Sequence, residues 1–407
     1  MQPTFRDAYN RAYTEDLALR QVADLTRRAG ARSGFRLAET PVFLTQELEE
    51  RLVSAAHGIL DQISRPEALR KLRRFVPPVW DAPGMDELPS LAQVDLAIVK
   101  ADDGSLEPKL IELQGFPSLS AFEVLQADAW SEALSEVPGL PAGGWSPFFS
   151  GLTRKGFVDL FRRTILAGHD PEHVVLLDLE PESQKTWVDF TATRALLGVD
   201  PVCATKVEKE GRRLFRRKDG RRIPIERIYN RVVFDELIRS GKELPFDFRD
   251  DLDVSWAPHP NWFWAWSKAA LPLLDHPAAP RAFTLSGLRG LPPDLTTGWV
   301  LKPLFSFAGG GVNIEPTAED VARVPDGERE TWCLQEKIAY DPCLRAVDGG
   351  GVKVEIRMMF FRPAGERAFT LGLNLCRLSR GRMLGVDFNK DFTWVGSSVA
   401  IRPLGAW

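Results

Sequence analysis

Two apolar runs, VDLAIVK at 94–100 and KLIELQ at 109–114, flank an Asp/Gly/Ser/Pro cluster of the kind that turns a chain back on itself. They predict an antiparallel hairpin in which each strand carries a single carboxylate. With the turn centred between Asp103 and Gly104, Asp95 faces Glu112; with a loop running through Pro108, it faces Gln114. In both registers Asp95, Glu112 and Gln114 share a face, because residues two apart on a strand point the same way. A carboxylate on an apolar strand is costly to bury unpaired. Either this face is solvated, or the three side chains gather hard oxygens of the kind Mg2+ takes beside phosphates and water.

The 407 residues suffice for two or three lobes with large cores, and the 44% hydrophobic and 27% charged content is that of ordinary globular chains. A net charge of −4 gives no global attraction to nucleic acid or to an anionic membrane, and neither is expected as a partner. Cys203, Cys333, Cys343 and Cys376 lack CxxC spacing, which fits reduced thiols and offers no zinc site. The first twenty residues are too charged for a signal peptide, and no apolar run reaches about 18 residues. A cytoplasmic protein is the expectation.

Residues 5–30 are polar and helix-prone up to Gly30, and Leu48, Leu52, Val53, Ala56, Ile59, Leu60 and Ile63 recur at helical spacing. From His173 the texture becomes strand (HVVLLDLEP), helix closed by Gly198, and strand (DPVCATKVEK), a βαβ unit. The basic run from Arg212 to Arg222 reads as a solvated hairpin around Asp219-Gly220, since no exposed aromatics interleave it. The strand after it ends in Tyr229, Asn230 and Arg231, where open α/β sheets bind ligands; alternatively Arg231 pairs with Asp235 or Glu236. The four tryptophans at 256–266 are expected in the core. Lys268 opens a short helix and offers a cation.

In WVLKPLFSFAGGGV, at 299–312, an apolar strand leads to Lys302 and then to Gly309, Gly310 and Gly311. Consecutive glycines let backbone N–H groups approach phosphate oxygens, with Lys302 as a point charge, although a plain glycine hairpin has the same look. It is neither a P-loop nor a Rossmann fingerprint. Thr317 and Asp320 fit a capping box. The remaining strands are dense in cations: Glu355 and Arg357 share one face, and Arg377 and Arg380 lie on the next strand and its end.

Taken in order, these segments resemble the ATP-grasp superfamily of carboxylate–amine ligases in its circularly permuted form, and most of all eukaryotic-type glutathione synthetase and the glutathionylspermidine synthetase-like group. The resemblance covers roughly residues 90–400 as ordered short motifs. It implies an α+β fold: two ATP-grasp subdomains gripping ATP, with an inserted α/β Rossmann-like (pre-ATP-grasp) lobe, circularly permuted. Residues 1–90 would be an N-terminal helical segment, 91–150 a metal-binding hairpin of the ATP-grasp core, 151–250 the Rossmann-like substrate lobe, and 251–407 the lid and nucleotide-binding core. By the same resemblance Lys268, Lys302 and Gly309–Gly311 contact ATP phosphates, and Gln335, Glu336 and Ile338 form the hinge at the adenine. Asp95, Glu112 and Gln114 hold Mg2+. Arg357, Arg377 and Arg380 are the catalytic cations near the γ-phosphate or acyl intermediate. Ser118 and Ser120, with Tyr229, Asn230 and Arg231, meet the substrate. Gln114 departs from the usual Asn, and Phe307-Ala308 from the usual acid before the glycines. The implied reaction activates a carboxylate as an acyl phosphate and joins it to an amine, the substrates being an amino acid, short peptide or polyamine; a homodimer is compatible with it. A phosphotransferase that stops at phosphorylation and a non-catalytic nucleotide binder are the alternatives.

Overall fold

The expected hairpin forms between β1 (Leu91–Lys100) and β2 (Leu106–Gln114). β1 then pairs on its other edge with β3 (Gly351–Phe361), which pairs with β4 (Thr370–Ser379). Gly396–Ser398 and Leu344–Arg345 complete a six-stranded sheet in which every pairing is antiparallel. The structure is a computed structural model and describes residues 1–305, 310–381, 389 and 391–405.

All of β1 except Lys100 is buried, which explains its nearly continuous apolar run: both faces of the sheet are covered. On one face Val94, Leu96, Ile356, Met358 and Phe360 pack with helix Gln46–Ile63, whose Leu48, Leu52, Ala56, Ile59, Leu60 and Ile63 are buried at the anticipated spacing. On the other, Leu91, Met359 and Phe361 meet Phe122, Phe157 and Phe161 of helices Ser120–Ser135 and Arg154–Leu166. Further along that same face stand Asp95, Glu355 and Arg357, so one surface of the sheet runs from apolar to charged.

The first segment divides into helices Pro3–Ala12 and Glu15–Ala29, because the Thr14 side chain caps a fresh start and Gly30, at φ 72°, ends it. It does not stand apart from the rest: Val42–Phe43 pairs with Ala400–Pro403. The βαβ unit forms as expected, from Val174–Asp178, helix Trp187–Leu197 and Asp200–Cys203. With Arg227–Asn230 and Ser255–Ala257 these strands build a four-stranded parallel sheet, so its edge strand comes from beyond residue 250. The basic hairpin projects Arg217, Arg221 and Arg222 onto Glu208, Glu172 and Glu210, each on the surface.

A third, antiparallel sheet joins Ala282–Thr284, Trp332–Glu336 and Trp299–Pro303, in that order, over a small core of Leu285, Leu301 and Leu334. Thr317 and Asp320 form the capping box. Trp262, Trp264 and Trp266 are core residues, whereas Trp256 is half-buried. The helix expected at Lys268 is instead a 3-10 segment, Lys268–Leu273, because Pro272 has no N–H to extend an α-helix. Among the described residues no helix is long and apolar enough to cross a membrane.

Candidate active site

The charged end of the large sheet begins with register. The turn pairs Lys100 with Leu106 and Leu96 with Leu110, which would set Asp95 against Ile111. A one-residue shift between Leu96 and Asp95 leaves Ile111 as the extra residue and brings Glu112 opposite Asp95. The first of the two anticipated registers is therefore reached through a bulge. On its other side Asp95 faces Arg357, whose Nε and Nη2 donate to the two carboxylate oxygens at 2.6 and 2.7 Å. Arg377, opposite Glu355 in the ladder, reaches both Asp95 and Glu355. Tyr340 donates to Glu355 at 3.2 Å. Burial raises the Glu355 carboxyl and lifts the Tyr340 hydroxyl well above its usual range.

Glu112 and Gln114 lie at the mouth of this cluster. Gln114 donates to Glu112, and the Lys268 ammonium stands 3.4 Å from the other Glu112 oxygen. Burial alone would raise the Glu112 carboxyl, but Lys268, Arg377, Arg357 and Lys302 hold it down to about 2. Lys302 donates to Gln335 Oε1 and lies 3.5 Å from the carbonyl of Ile111, the bulged residue. Gln335 in turn donates to the Leu110 carbonyl at 3.2 Å. Burial lowers the Lys302 pKa. The hairpin and the lysine strand thus touch, although they are 191 positions apart.

Other expected residues fall at the margin. Gly311, at φ 70°, packs over Pro303 at the end of the Lys302 strand, Gly310 precedes it, and Gly309 lies outside the described residues. Glu336 pairs with Arg281 at 3.1 Å, while Ile338 is half-buried just beyond the strand. Arg380 is directed away to Asp348, at 2.8 Å, and does not join Arg357 and Arg377. The cleft beside Glu112, Gln114, Lys268 and Phe305 encloses about 20 Å³, room for little more than a water.

A second polar centre lies at the carboxyl ends of the parallel strands. Arg231 pairs not with Asp235 or Glu236 but with Asp189, at 2.7 Å. Asp189 also accepts the backbone N–H groups of Leu119, Ala121 and Phe122, closing the N-terminus of the helix that Ser120 begins. The hydroxyls of Ser120 and Tyr229, Nδ2 of Asn230, Nε of Arg231 and Oε2 of Glu123 are buried here without a hydrogen bond among the described residues. Ser118, two residues earlier than Ser120, offers its carbonyl to Gln93 at 3.1 Å. Asp178, at the end of its strand, is pushed up to about 8 by burial, with Arg231 opposing the rise. Glu123, near both Asp189 and Arg357, links the two centres and is raised well above the carboxylate range by burial.

Asp189, Asp178, Glu355 and Tyr340 were not anticipated as site residues. Asp189 left one signal, a lone acid in the apolar helix WVDFTATRALL; Asp178 and Glu355 left the same signal in VVLLD and VKVEIR.

Neither family models nor curated proteins match this sequence. Among solved structures, it is similar to a glutathione synthetase-like effector from Globodera pallida in its apo form, with a TM-score of 0.54 and 12% identity over 97% of this chain and 98% of that one. The fold is glutathione synthetase-like. That likeness covers nearly all of the mixed α+β architecture and is one of shape rather than of sequence.

Proposed function

We propose that the protein is an ATP-dependent carboxylate–amine ligase with a circularly permuted ATP-grasp arrangement. The observation that carries this reading is that, among the described residues, Lys268, Arg357 and Arg377 pair with Asp95, Glu112 and Glu355, with Lys302 beside them at the Ile111 carbonyl. Among the described residues this gathers four cations beside three carboxylates, a cation-rich buried cleft. Such a cleft suits a polyanion, and it lets a second anion, the substrate carboxylate, come close to it.

Bound ATP would supply the phosphoryl group that activates the carboxylate. Lys268 and Lys302 would exchange Glu112 and Gln335 for phosphate oxygens, and Gly310 and Gly311 would present N–H groups at the strand end. Arg357, fixed by Asp95, and Arg377, fixed by Glu355, would hold negative charge as it develops. For Mg2+ the donor set is tested by its present partners. Both Asp95 oxygens are taken by guanidinium groups, whereas Glu112 and Gln114 border the cleft. Glu112 and the Gln114 carbonyl therefore fit a Mg2+ that keeps its waters and borrows phosphate oxygens, and Asp95 acts through the arginines. The unpartnered groups around Ser120, Tyr229, Asn230 and Arg231 would receive the amino acid, peptide or polyamine. Entry of a nucleotide requires the sheet bearing Lys302 to move off the hairpin, since the present cleft is far too small.

The test is ADP release with amino acids, short peptides and polyamines supplied singly and in pairs. Lys302→Met and Glu112→Gln, which keep the side-chain volumes, should abolish it while leaving the protein folded. Turnover equal to wild type in either variant removes that residue from the active site. ADP release without an amide product would make the protein a phosphotransferase. ATP binding with no ADP under any substrate combination would favour a non-catalytic binder.

A further inference from the structure

A second cavity, of about 330 Å³, shares no lining residue with the lysine cleft. It lies where the start of β1 and the end of β3 meet the amino-terminal ends of the parallel strands, between Ser90, Arg362, Arg227 and Ser255. Arg362 is five positions beyond Arg357 along β3 and its end, or about 16 Å at about 3.3 Å per residue. Its size is at the low end of the range of about 300–1,000 Å³ for small-molecule sites.

The lining carries both signs of charge: Arg227 and Arg362 share it with Asp86 and with Asp250 and Asp251, which are held by Lys209 and Arg212. Arg227 is buried and donates Nε to the Ile165 carbonyl at 2.6 Å, Nη1 to Ser255 at 3.0 Å and Nη2 to the Thr164 carbonyl at 3.0 Å. Two of its five N–H groups remain, and among the described residues no carboxylate bonds to it, Asp86 acting only at longer range. Ser90 Oγ, also buried, has no hydrogen-bond partner among the described residues. Phe248 and the half-buried Trp256 add an aromatic wall, their ring centroids 5.8 Å apart. Asp86 sits at the rim, only 3.4 Å from Arg362 and 40% exposed. His259 accepts the Asn261 N–H at Nδ1 and faces the Pro83 carbonyl at Nε2, an arrangement that suits a neutral ring.

We propose that this cavity binds a small zwitterion of the amino-acid class. Its carboxylate would meet Arg227 and Ser90, its ammonium the Asp86 rim, and its apolar side chain the Phe248–Trp256 wall. A carboxylate completes the guanidinium's hydrogen bonds and neutralises its charge, which a neutral ligand or a lone cation does not. Because the ligand would touch the end of the large sheet and the start of the parallel one, its binding would fasten the two together. The site is independent of the ligase reading and fits a regulatory amino acid better than a substrate, given its distance from the lysine cluster.

The test is calorimetric titration of the full chain with L-phenylalanine, alongside 3-phenylpropionate, which lacks the ammonium, and phenethylamine, which lacks the carboxylate. L-Phenylalanine should bind saturably and raise Tm by about 3 °C at a hundredfold excess over Kd. Each truncated analogue should bind at least about tenfold more weakly, and Ser90→Ala should weaken L-phenylalanine by about tenfold. Val254→Phe, which fills the cavity from its lining, should abolish binding. No saturable binding at millimolar L-phenylalanine overturns the proposal. So does undiminished binding in both variants, and so does equal affinity for 3-phenylpropionate.

Discussion

Replacing Asp95 by Asn tests whether the charged end of the sheet is built as an ion-paired unit. Asp95 is fully buried and Arg357 is 6% exposed, and two short hydrogen bonds join them across the β1–β3 seam. The isosteric amide keeps one acceptor but removes the charge, leaving the Arg357 guanidinium buried without its counter-ion. Breaking one side of a buried pair costs about 3–5 kcal/mol. The Arg377 contact adds little, because that side chain is 37% exposed and keeps Glu355. At about 2.1 cal/mol/K per residue, 407 residues give an unfolding entropy of about 0.85 kcal/mol/K, so Tm should fall by about 4–6 °C. The assay is calorimetry and far-ultraviolet circular dichroism on the two proteins side by side. Asp95→Leu with Arg357→Met, which puts two apolar side chains at facing positions, should regain most of the loss, since well-packed apolar replacements of buried pairs are often neutral or stabilising. An Asp95→Asn protein that melts with wild type refutes the argument. A double variant no better than the single one refutes it equally.

Two further predictions rest on separate features. The Asp178 carboxyl has a folded pKa of about 8 against an ordinary 3.8, so the folded state holds a proton that the unfolded chain releases. Its contribution is complete below about pH 4 and is lost as pH rises toward 8. Asp178→Asn, which mimics the neutral acid, should therefore gain on wild type in urea unfolding by more than about 1.4 kcal/mol between about pH 5 and about pH 8.5. A pH-independent difference would count against the buried acid. At Gly311, φ 70° and a Cβ position 3.0 Å from Pro303 Cγ make Gly311→Ala destabilising by about 1–2 kcal/mol. Gly290→Ala, with nothing within 4 Å, should be neutral or slightly stabilising, and matching effects at the two positions would contradict the strain argument.

The sequence carried parity better than partnership. That Asp95, Glu112 and Gln114 share a face, and that Glu355 and Arg357 do likewise, follows from the two-residue repeat of a strand, and both hold. The same arithmetic says nothing about which strands lie side by side. Arg357 is 262 positions from Asp95 and Arg377 is 282, so a carboxylate that looked like a metal ligand gave no sign of its guanidinium partners. The bulge at Ile111 was equally illegible, since no glycine marks it; what holds it is tertiary, with Lys302 near its freed carbonyl and Gln335 bonded to Leu110. Arg231 shows the rule from the other side: the candidates near it in sequence, Asp235 and Glu236, lost to Asp189, because only Asp189 could also close a helix N-terminus. In each case an acid or base inside an apolar run correctly announced that a partner must exist, the cost of burying it alone being several kcal/mol. Identifying that partner took the pairing of β1 with β3 and the packing of one helix on another, which no local pattern in the chain encodes.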